Sequence, residues 1–231
     1  HGGHDVDGVL IVGTQAQVIP DIRLHRRGPV EDDDLLPDLG GLERAEVLIA
    51  EGTLAPPAVV LLAGHLLLRR SDPAGRSTVL DIPEPGALLG QEAVFDGGPA
   101  PCTLEAAEAA EVVVIPPDSL RRAVAEDFAS LRVLMAGVSA HLRGFVRQMQ
   151  ELGRGEAPLR LARYLVERAR EDDRGGAVWR LPCEKRMLAS RLGMTPETFS
   201  RALAALREAG VTMDGETVVI ADLRRLRQEA E

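Results

Sequence analysis

The chain has 231 residues, of which 45% are hydrophobic and 27% are charged, and its formal net charge is −9. This length accommodates two globular domains. No apolar run reaches the roughly 20 residues that a membrane-spanning helix needs, so we expect no membrane association. The start of the sequence lacks the basic-then-apolar order of a signal peptide, which predicts a cytoplasmic protein. Two cysteines, Cys102 and Cys183, are too few for an iron–sulfur cluster held by four cysteines.

Charge is unevenly distributed along the sequence. Residues 155–231 hold 14 basic and 13 acidic side chains, which leaves 13 basic and 23 acidic side chains in residues 1–154. The stretch 184–207 is more basic still, with five basic side chains against two acidic ones. Because phosphate binding needs a locally positive surface, the acidic total does not exclude a nucleic-acid partner for the C-terminal part.

The first half of the chain is predicted to be mostly β-structure. Residues 1–34 form an N-terminal extension of uncertain structure, with a candidate strand over residues 8–12. Residues 35–117 contain short apolar runs, often β-branched, that are separated by Gly-Pro turns. Such short strands at close spacing predict an antiparallel sandwich or barrel. The predicted strands are Val47–Ile49, Val59–Leu62, Leu66–Leu68, Thr78–Ile82 and Val112–Ile115.

Residues 118–153 are predicted to be helical, with Asp118 or Ser119 capping a short first helix. A second helix then carries apolar residues at alternating steps of four and three, an average spacing of 3.5. That spacing keeps one narrow seam facing a second helix, which favours a coiled coil between two identical chains. The alternative is a surface helix that lies on its own domain. The seam residues are Leu131, Met135, Val138, Leu142, Phe145, Met149 and Leu152.

Residues 154–231 are predicted to form a winged helix-turn-helix domain. Residues 185–206 combine a small residue at the helix crossing, Ala189, with a residue that tolerates positive φ at the turn, Gly193. The segment Thr195-Pro196-Glu197 then begins a second helix, with Thr as N-cap and Pro at the first helical position. Two β-rich runs around residues 214–216 predict the hairpin that forms the wing. The apolar core positions are Leu188, Leu192, Phe199 and Leu203.

The second helix of this motif carries the predicted base contacts. Glu197, Ser200 and Arg201 lie at i, i+3 and i+4, so they share one face near the helix N-terminus. Arg201 can donate two hydrogen bonds to guanine, Glu197 can accept from cytosine, and Ser200 can reach a neighbouring base or phosphate. The alternative for Glu197 and Arg201 is a solvated ion pair. The predicted contacts to the DNA backbone are Lys185, Arg186, Thr195 and Thr198.

This order of elements resembles the CRP/FNR family of bacterial regulators. Residues 197–201 look like the E-x-x-S-R recognition helix of the FNR type, and residues 181–211 are most similar to the DNR/NnrR branch, which regulates denitrification in response to nitric oxide. The resemblance implies an α+β fold with an N-terminal antiparallel β-roll that resembles a cyclic-nucleotide-binding domain, a long dimerisation helix and a C-terminal winged helix-turn-helix. It also implies a homodimer on double-stranded DNA at a TTGAT-N4-ATCAA-like palindrome, with RNA polymerase as a further partner.

The sensor domain departs from the nucleotide-binding members of that family. Gln91 follows Gly90 where the family carries Glu, and Pro101-Cys102 stand where it carries Arg-Ser. A buried phosphate would then lack its arginine, so we expect no cyclic nucleotide. The resemblance to the DNR/NnrR branch instead implies haem, for which His65 and His141 are the candidate axial ligands.

Three alternatives stay open from the sequence. The regulator has another effector or none, or the chain is a dimeric β-roll interaction module without enzymatic activity, or it is an enzyme. No Gly-rich phosphate loop, nucleophile elbow or metal-spaced His/Glu motif appears in the sequence. We therefore predict that the chain is not an enzyme.

Overall fold

The computed structural model describes residues 10–11, 18–19, 25–26, 38–153, 156–172 and 175–230. The strands are β1 (Leu10–Ile11), β2 (Val18–Ile19), β3 (His25–Arg26), β4 (Asp38–Leu42), β5 (Val47–Ile49), β6 (Ala58–Ala63), β7 (Leu66–Ser71), β8 (Ser77–Asp81), β9 (Leu88–Leu89), β10 (Thr103–Ala106), β11 (Ala110–Ile115), β12 (Ala177–Arg180), β13 (Val211–Asp214) and β14 (Thr217–Ile220). The helices are α1 (Gln91–Asp96), α2 (Pro117–Glu126), α3 (Phe128–Gly153), α4 (Ala157–Arg168), α5 (Lys185–Arg191), α6 (Pro196–Ala205) and α7 (Leu223–Glu229).

The chain forms two compact units that divide between Arg143 and Gly144, within α3. The first unit contains a four-stranded sheet in the order β5-β10-β7-β8 and a five-stranded sheet in the order β3-β4-β11-β6-β9. All pairings in these sheets are antiparallel except β3 with β4, which is parallel. The predicted antiparallel β-roll is confirmed.

Two apolar clusters hold the first unit together, and they share strands β6 and β11. Because side chains alternate between the faces of a strand, Val59 and Leu61 of β6 enter one cluster while Ala58 and Val60 enter the other. The first cluster includes residues from both sheets. The second also contains Leu120 of α2 and residues 133–134 of α3. Burial on both faces explains why residues 58–61 of β6 are all apolar.

The turn between β6 and β7 depends on a glycine. Gly64 has a φ of +80°, and a Cβ atom there would lie 2.4 Å from the carbonyl oxygen of Ala109. Only glycine permits this approach between the β6–β7 and β10–β11 turns. The next residue, His65, places Nδ1 2.5 Å from Oε1 of Glu108.

The start of α2 differs from the prediction. The helix begins at Pro117, and its N-cap is Pro116 without a side-chain cap, so Asp118 and Ser119 are not caps. A side-chain cap is not needed for Pro117, because proline has no N–H to satisfy and its φ already suits the first helical position. Asp118 lies in the first turn, where its Oδ1 accepts a hydrogen bond from Nη1 of Arg121 at 2.7 Å. A side-chain cap occurs one helix later, where Asp127 accepts from the backbone N–H of Ser130 at 2.8 Å.

The second unit combines the end of α3 and helices α4 to α7 with a sheet in the order β12-β14-β13. Helix α4 packs against α6 and α7. Tyr164 of α4 meets Trp179 of β12 edge-on, with ring centroids 5.7 Å apart, and the guanidinium carbon of Arg168 lies 3.9 Å from the Tyr164 centroid. These contacts fix the sheet against α4.

The structure also contains elements that the sequence did not predict. They are β2, β3, β4, β9, β10, α1 and α7, and each is short or interrupted by glycine or by charged residues. In the N-terminal extension, the predicted strand over residues 8–12 contains β1, and β2 and β3 are also described, whereas the other residues of the extension lie outside the described ranges. Within the described ranges, no helix has both the length and the apolar character to cross a bilayer.

Candidate nucleic-acid interface and sensor cleft

Helices α5 and α6 form the predicted helix-turn-helix. Ala189 is fully buried at their crossing, and Gly193 has a φ of +63° in the turn between them. The N–H of Met194 donates to the carbonyl oxygen of Ala189 at 2.8 Å, which closes the turn. Leu188, Leu192 and Phe199 are buried as predicted, whereas Leu203 is only half-buried.

Helix α6 begins at the predicted residue with the predicted cap. Oγ1 of Thr195 accepts a hydrogen bond from the N–H of Thr198 at 3.2 Å, and Pro196 occupies the first helical position. The cap satisfies one of the N–H groups that every helix start leaves without an internal partner. It therefore holds in place the end of the helix that carries the predicted base contacts.

The three predicted base-reading residues lie on one exposed face of α6. Glu197, Ser200 and Arg201 are all exposed. Oγ of Ser200 donates to the carbonyl oxygen of Pro196 at 2.9 Å. Nη2 of Arg201 donates to Oγ1 of Thr198 at 3.2 Å. The guanidinium thus has a neutral partner on its own helix, and its other N–H groups can meet a base edge.

Electrostatics keep Glu197 ionised. The pKa of Glu197 is lowered by hydrogen bonding to its own backbone N–H, then by the Thr195 side chain, and least by the charge of Arg201. An ionised carboxylate only accepts hydrogen bonds, which suits the amino group of cytosine. Arg201 is oriented by its hydrogen bond to Thr198. Of the interactions that lower the pKa of Glu197, the charge of Arg201, the ion pair that the sequence suggested, contributes least.

The predicted backbone contacts do not share one environment. Lys185 and Arg186 are exposed at the start of α5, and Nε of Arg186 lies 2.6 Å from Oε2 of Glu184. Thr195 is exposed, whereas Thr198 is half-buried and engaged with Thr195 and Arg201. Sequence reasoning missed that Thr198 orients Arg201; their i, i+3 spacing is the feature that could have shown it.

The predicted wing is a two-stranded hairpin. Strands β13 and β14 pair antiparallel, with Asp214 opposite Thr217, so Gly215 and Glu216 form the loop. Gly215 has a φ of +58°, as the first loop position of a tight hairpin requires. Glu216 pairs with Arg180 of β12 at 3.3 Å, which links the hairpin loop to the third strand.

The predicted seam on α3 is largely uncovered by the chain itself. Val133 and Leu134 are buried in the first unit, while Leu131 is half-buried. The side chain of Leu152 lies outside the described residues. The exposed members of the seam are Met135 (53%), Val138 (39%), Leu142 (62%), Phe145 (56%) and Met149 (58%). The alternative of a helix whose apolar stripe packs on its own domain does not fit these residues.

A cleft opens on the β-roll at the start of α1. Gly90, which has a φ of +76°, Glu92 and Ala93 lie on one side, and Pro101 and Cys102 lie near the start of β10. Gln91 does not line the cleft: its side chain is buried, and no described donor reaches its Oε1. The remaining lining residues are apolar and comprise Ile49, Pro56, Leu68, Leu89, Ala100 and Leu104.

Burial raises the pKa of the Cys102 thiol to about 11, with further increases from the charges of Glu92 and Glu51 and an opposing effect of Arg70. The acidic charges therefore outweigh the basic one at this point of the cleft. Sequence reasoning missed Glu92. Gln91 stands where the nucleotide-binding members carry glutamate, and the sequence-based prediction did not consider that the next residue, Glu92, supplies a carboxylate.

Neither candidate haem ligand lies in the cleft. His65 is half-buried in the β6–β7 turn beside Glu108, and His141 is exposed on α3. The described part of the chain thus brings neither histidine to the apolar lining of this pocket.

Comparisons with known proteins match both units. A cyclic nucleotide-binding domain matches residues 41–127, and a Crp-like helix-turn-helix domain matches residues 159–229. A "CRP-like cAMP-activated global transcriptional regulator" of Mycobacterium tuberculosis is 26% identical over 81% of this chain and 85% of that protein. A solved structure described as a cAMP-binding regulatory protein, from Silicibacter pomeroyi, is 30% identical over 84% of this chain and 86% of the other, with a TM-score of 0.63. FixK2 from Bradyrhizobium japonicum is 26% identical over 85% and 98% of the two chains, with a TM-score of 0.72.

Proposed function

Because the chain belongs to the CRP/FNR family of DNA-binding transcription regulators, we propose that it binds a palindromic operator as a homodimer. Helix α6 enters the major groove of each half-site. Arg201 reads guanine, Glu197 reads cytosine, and Ser200 contacts an adjacent base or phosphate. Lys185, Arg186, Thr195 and Thr198 lie at the helix starts that approach the DNA backbone.

The observation that carries this proposal is the exposed face of α6. Its three polar side chains lie beside a capped helix N-terminus, and among the described residues Ser200 and Arg201 hydrogen-bond within their own helix. Local contacts of this kind can be exchanged for base contacts without unfolding any part of the domain. The half-site that an E-x-x-S-R helix reads in the related FNR type is TTGAT.

The exposed seam on α3 supports the dimer. Five of its apolar side chains are between 39% and 62% exposed, which is costly for a long helix in water unless a second copy covers them. A two-fold dimer would place its recognition helices about one turn of DNA apart, roughly 34 Å. The half-site centres of the TTGAT-N4-ATCAA palindrome are about nine base pairs, or roughly 31 Å, apart, which is close to that spacing.

We further propose RNA polymerase as a partner, since a regulator bound to an operator acts on transcription through the polymerase. Membership of the DNR/NnrR branch, and sensing of nitric oxide or redox state through haem, stay predictions. An absorption spectrum recorded during haem titration, with and without nitric oxide, tests them directly.

A gel-shift titration tests the function. The full chain should retain a duplex with TTGAT-N4-ATCAA at least a thousandfold more tightly than a scrambled duplex of the same composition, at matched salt. A duplex with the spacer lengthened by five base pairs is the geometric control, because it rotates one half-site by about half a turn. Equal affinity for all three duplexes would contradict sequence-specific binding, and no retention would favour an interaction module.

A further inference from the structure

The cleft on the β-roll has an apolar wall and an acidic rim. The wall includes Leu68, Leu89 and Leu104, which come from strands β7, β9 and β10. The rim includes Glu92 of α1, which is exposed. Within the part of the chain that the structure describes, no cation pairs with Glu92. Such a combination of an apolar surface with one polar group is typical of small-molecule sites.

The arginines next to the cleft are both committed to glutamates. Arg69 and Arg70 follow Leu68 on β7. Arg69 pairs with Glu105, and Nε of Arg70 lies 3.1 Å from Oε1 of Glu51. Each guanidinium already offsets the charge of one glutamate, so neither arginine brings an uncompensated positive charge to the cleft. A phosphate or carboxylate in the cleft would therefore face Glu92, with only the charge of Arg70, shared with Glu51, to offset the repulsion.

The rest of the site agrees with this balance of charge. The Cys102 thiol, which also lines the cleft, stays protonated at neutral pH because burial and the neighbouring carboxylates disfavour its thiolate. The same physical causes disfavour any other anion at that point.

We propose that this cleft binds a small apolar amine, whose hydrocarbon body packs against the leucine wall and whose ammonium pairs with Glu92. A single aromatic ring with a short aminoalkyl chain combines such a hydrocarbon body with one ammonium group. This ligand class is opposite in charge to a cyclic nucleotide. The role of such a ligand as an effector rests on the proposed function, whereas its binding to the cleft does not.

Calorimetry on the full chain with three probes of the same ring tests the charge preference. The probes are 2-phenylethylamine, 2-phenylethanol and phenylacetate. We expect the amine to bind about fivefold more tightly than the alcohol, as one partly exposed ion pair provides, and phenylacetate to bind more weakly than either. Phenylacetate binding as tightly as the amine would overturn the proposal, as would the absence of heat from all three probes.

A variant of the rim residue locates the site. Glu92→Gln should reduce amine affinity to that of the alcohol and leave the alcohol unchanged, because only the charge of the rim is removed. Glu111→Gln, at an exposed acid on β11 outside the cleft, is the matched control and should change neither affinity. Equal amine affinity in the Glu92→Gln and unmodified chains would overturn the assignment, provided that both melt at the same temperature.

Operator binding by the same samples separates the two proposals. Amine binding without operator binding would reject the proposed function and leave the cleft assignment standing. Operator binding without amine binding would reject the cleft assignment and leave the proposed function standing.

Discussion

Arg201 is the residue on which sequence recognition depends most directly. Its Nη2 rests on Oγ1 of Thr198 at 3.2 Å, and its fork can donate two parallel hydrogen bonds to guanine. Arg201→Ala should weaken binding to the TTGAT palindrome by about 1–3 kcal/mol, with a much smaller loss on a scrambled duplex. Lys185→Ala is the matched control, which should weaken both duplexes alike and flatten the salt dependence of binding. If Arg201→Ala weakened binding to the two duplexes equally, Arg201 would contact phosphate and not a base.

The pKa of Cys102, a second single-residue property, depends on the charges that surround the cleft. Since its pKa is raised to about 11, alkylation by iodoacetamide should accelerate with pH up to that value instead of levelling off near 9. Glu92→Gln removes a negative charge, so it should lower the pKa of Cys102 and speed alkylation at pH 9. Site-resolved mass spectrometry separates Cys102 from Cys183. If the pH profile were identical in the two chains, the Glu92 carboxylate would not affect the pKa of Cys102.

At the scale of single elements, the start of α6 is the most sharply specified feature. Thr195 caps the helix through a 3.2 Å hydrogen bond from the N–H of Thr198. Thr195→Ala should lower the free energy of unfolding by about 0.5–2 kcal/mol, because that N–H loses its partner. Urea unfolding followed through Trp179, the chain's one tryptophan, reports on this unit. Thr195→Ser should retain most of the stability, and a loss as large as that of Thr195→Ala would mean that packing of the methyl group, not the cap, is what matters.

At the scale of the whole molecule, assembly depends on α3. Val138→Glu combined with Leu142→Glu places two charges in the exposed seam. Sedimentation equilibrium should then show monomers, and operator binding should be lost because the two half-sites are no longer read together. Ala136→Glu combined with Arg143→Glu adds the same two side chains on exposed positions away from the seam and should leave dimers. Dimers that persist with both seam charges would contradict the coiled coil.

Local chemistry along the chain determined the elements of the second unit. The Thr-Pro-Glu cap, the turn at Gly193 and the Asp-Gly hairpin each depend on residues within a few positions of one another, so the sequence alone predicted them. The alternation of steps of four and three likewise predicted an α3 seam that its own chain leaves exposed. Elements such as β10 and α1 were missed, because Thr103–Ala106 becomes a strand only by pairing with β5 and β7.

Only the tertiary structure decided which side chains meet at the cleft. Gln91 and Glu92 are neighbours in sequence, yet one is buried and the other lines the cleft, because the direction of α1 is set by its packing on β6 and α2. The pairing of Arg69 with Glu105 joins β7 to β10, and the pairing of Arg70 with Glu51 joins β7 to the turn after β5. Charge balance at a point in space depends on such distant partners, and linear spacing along the chain carries no information about them.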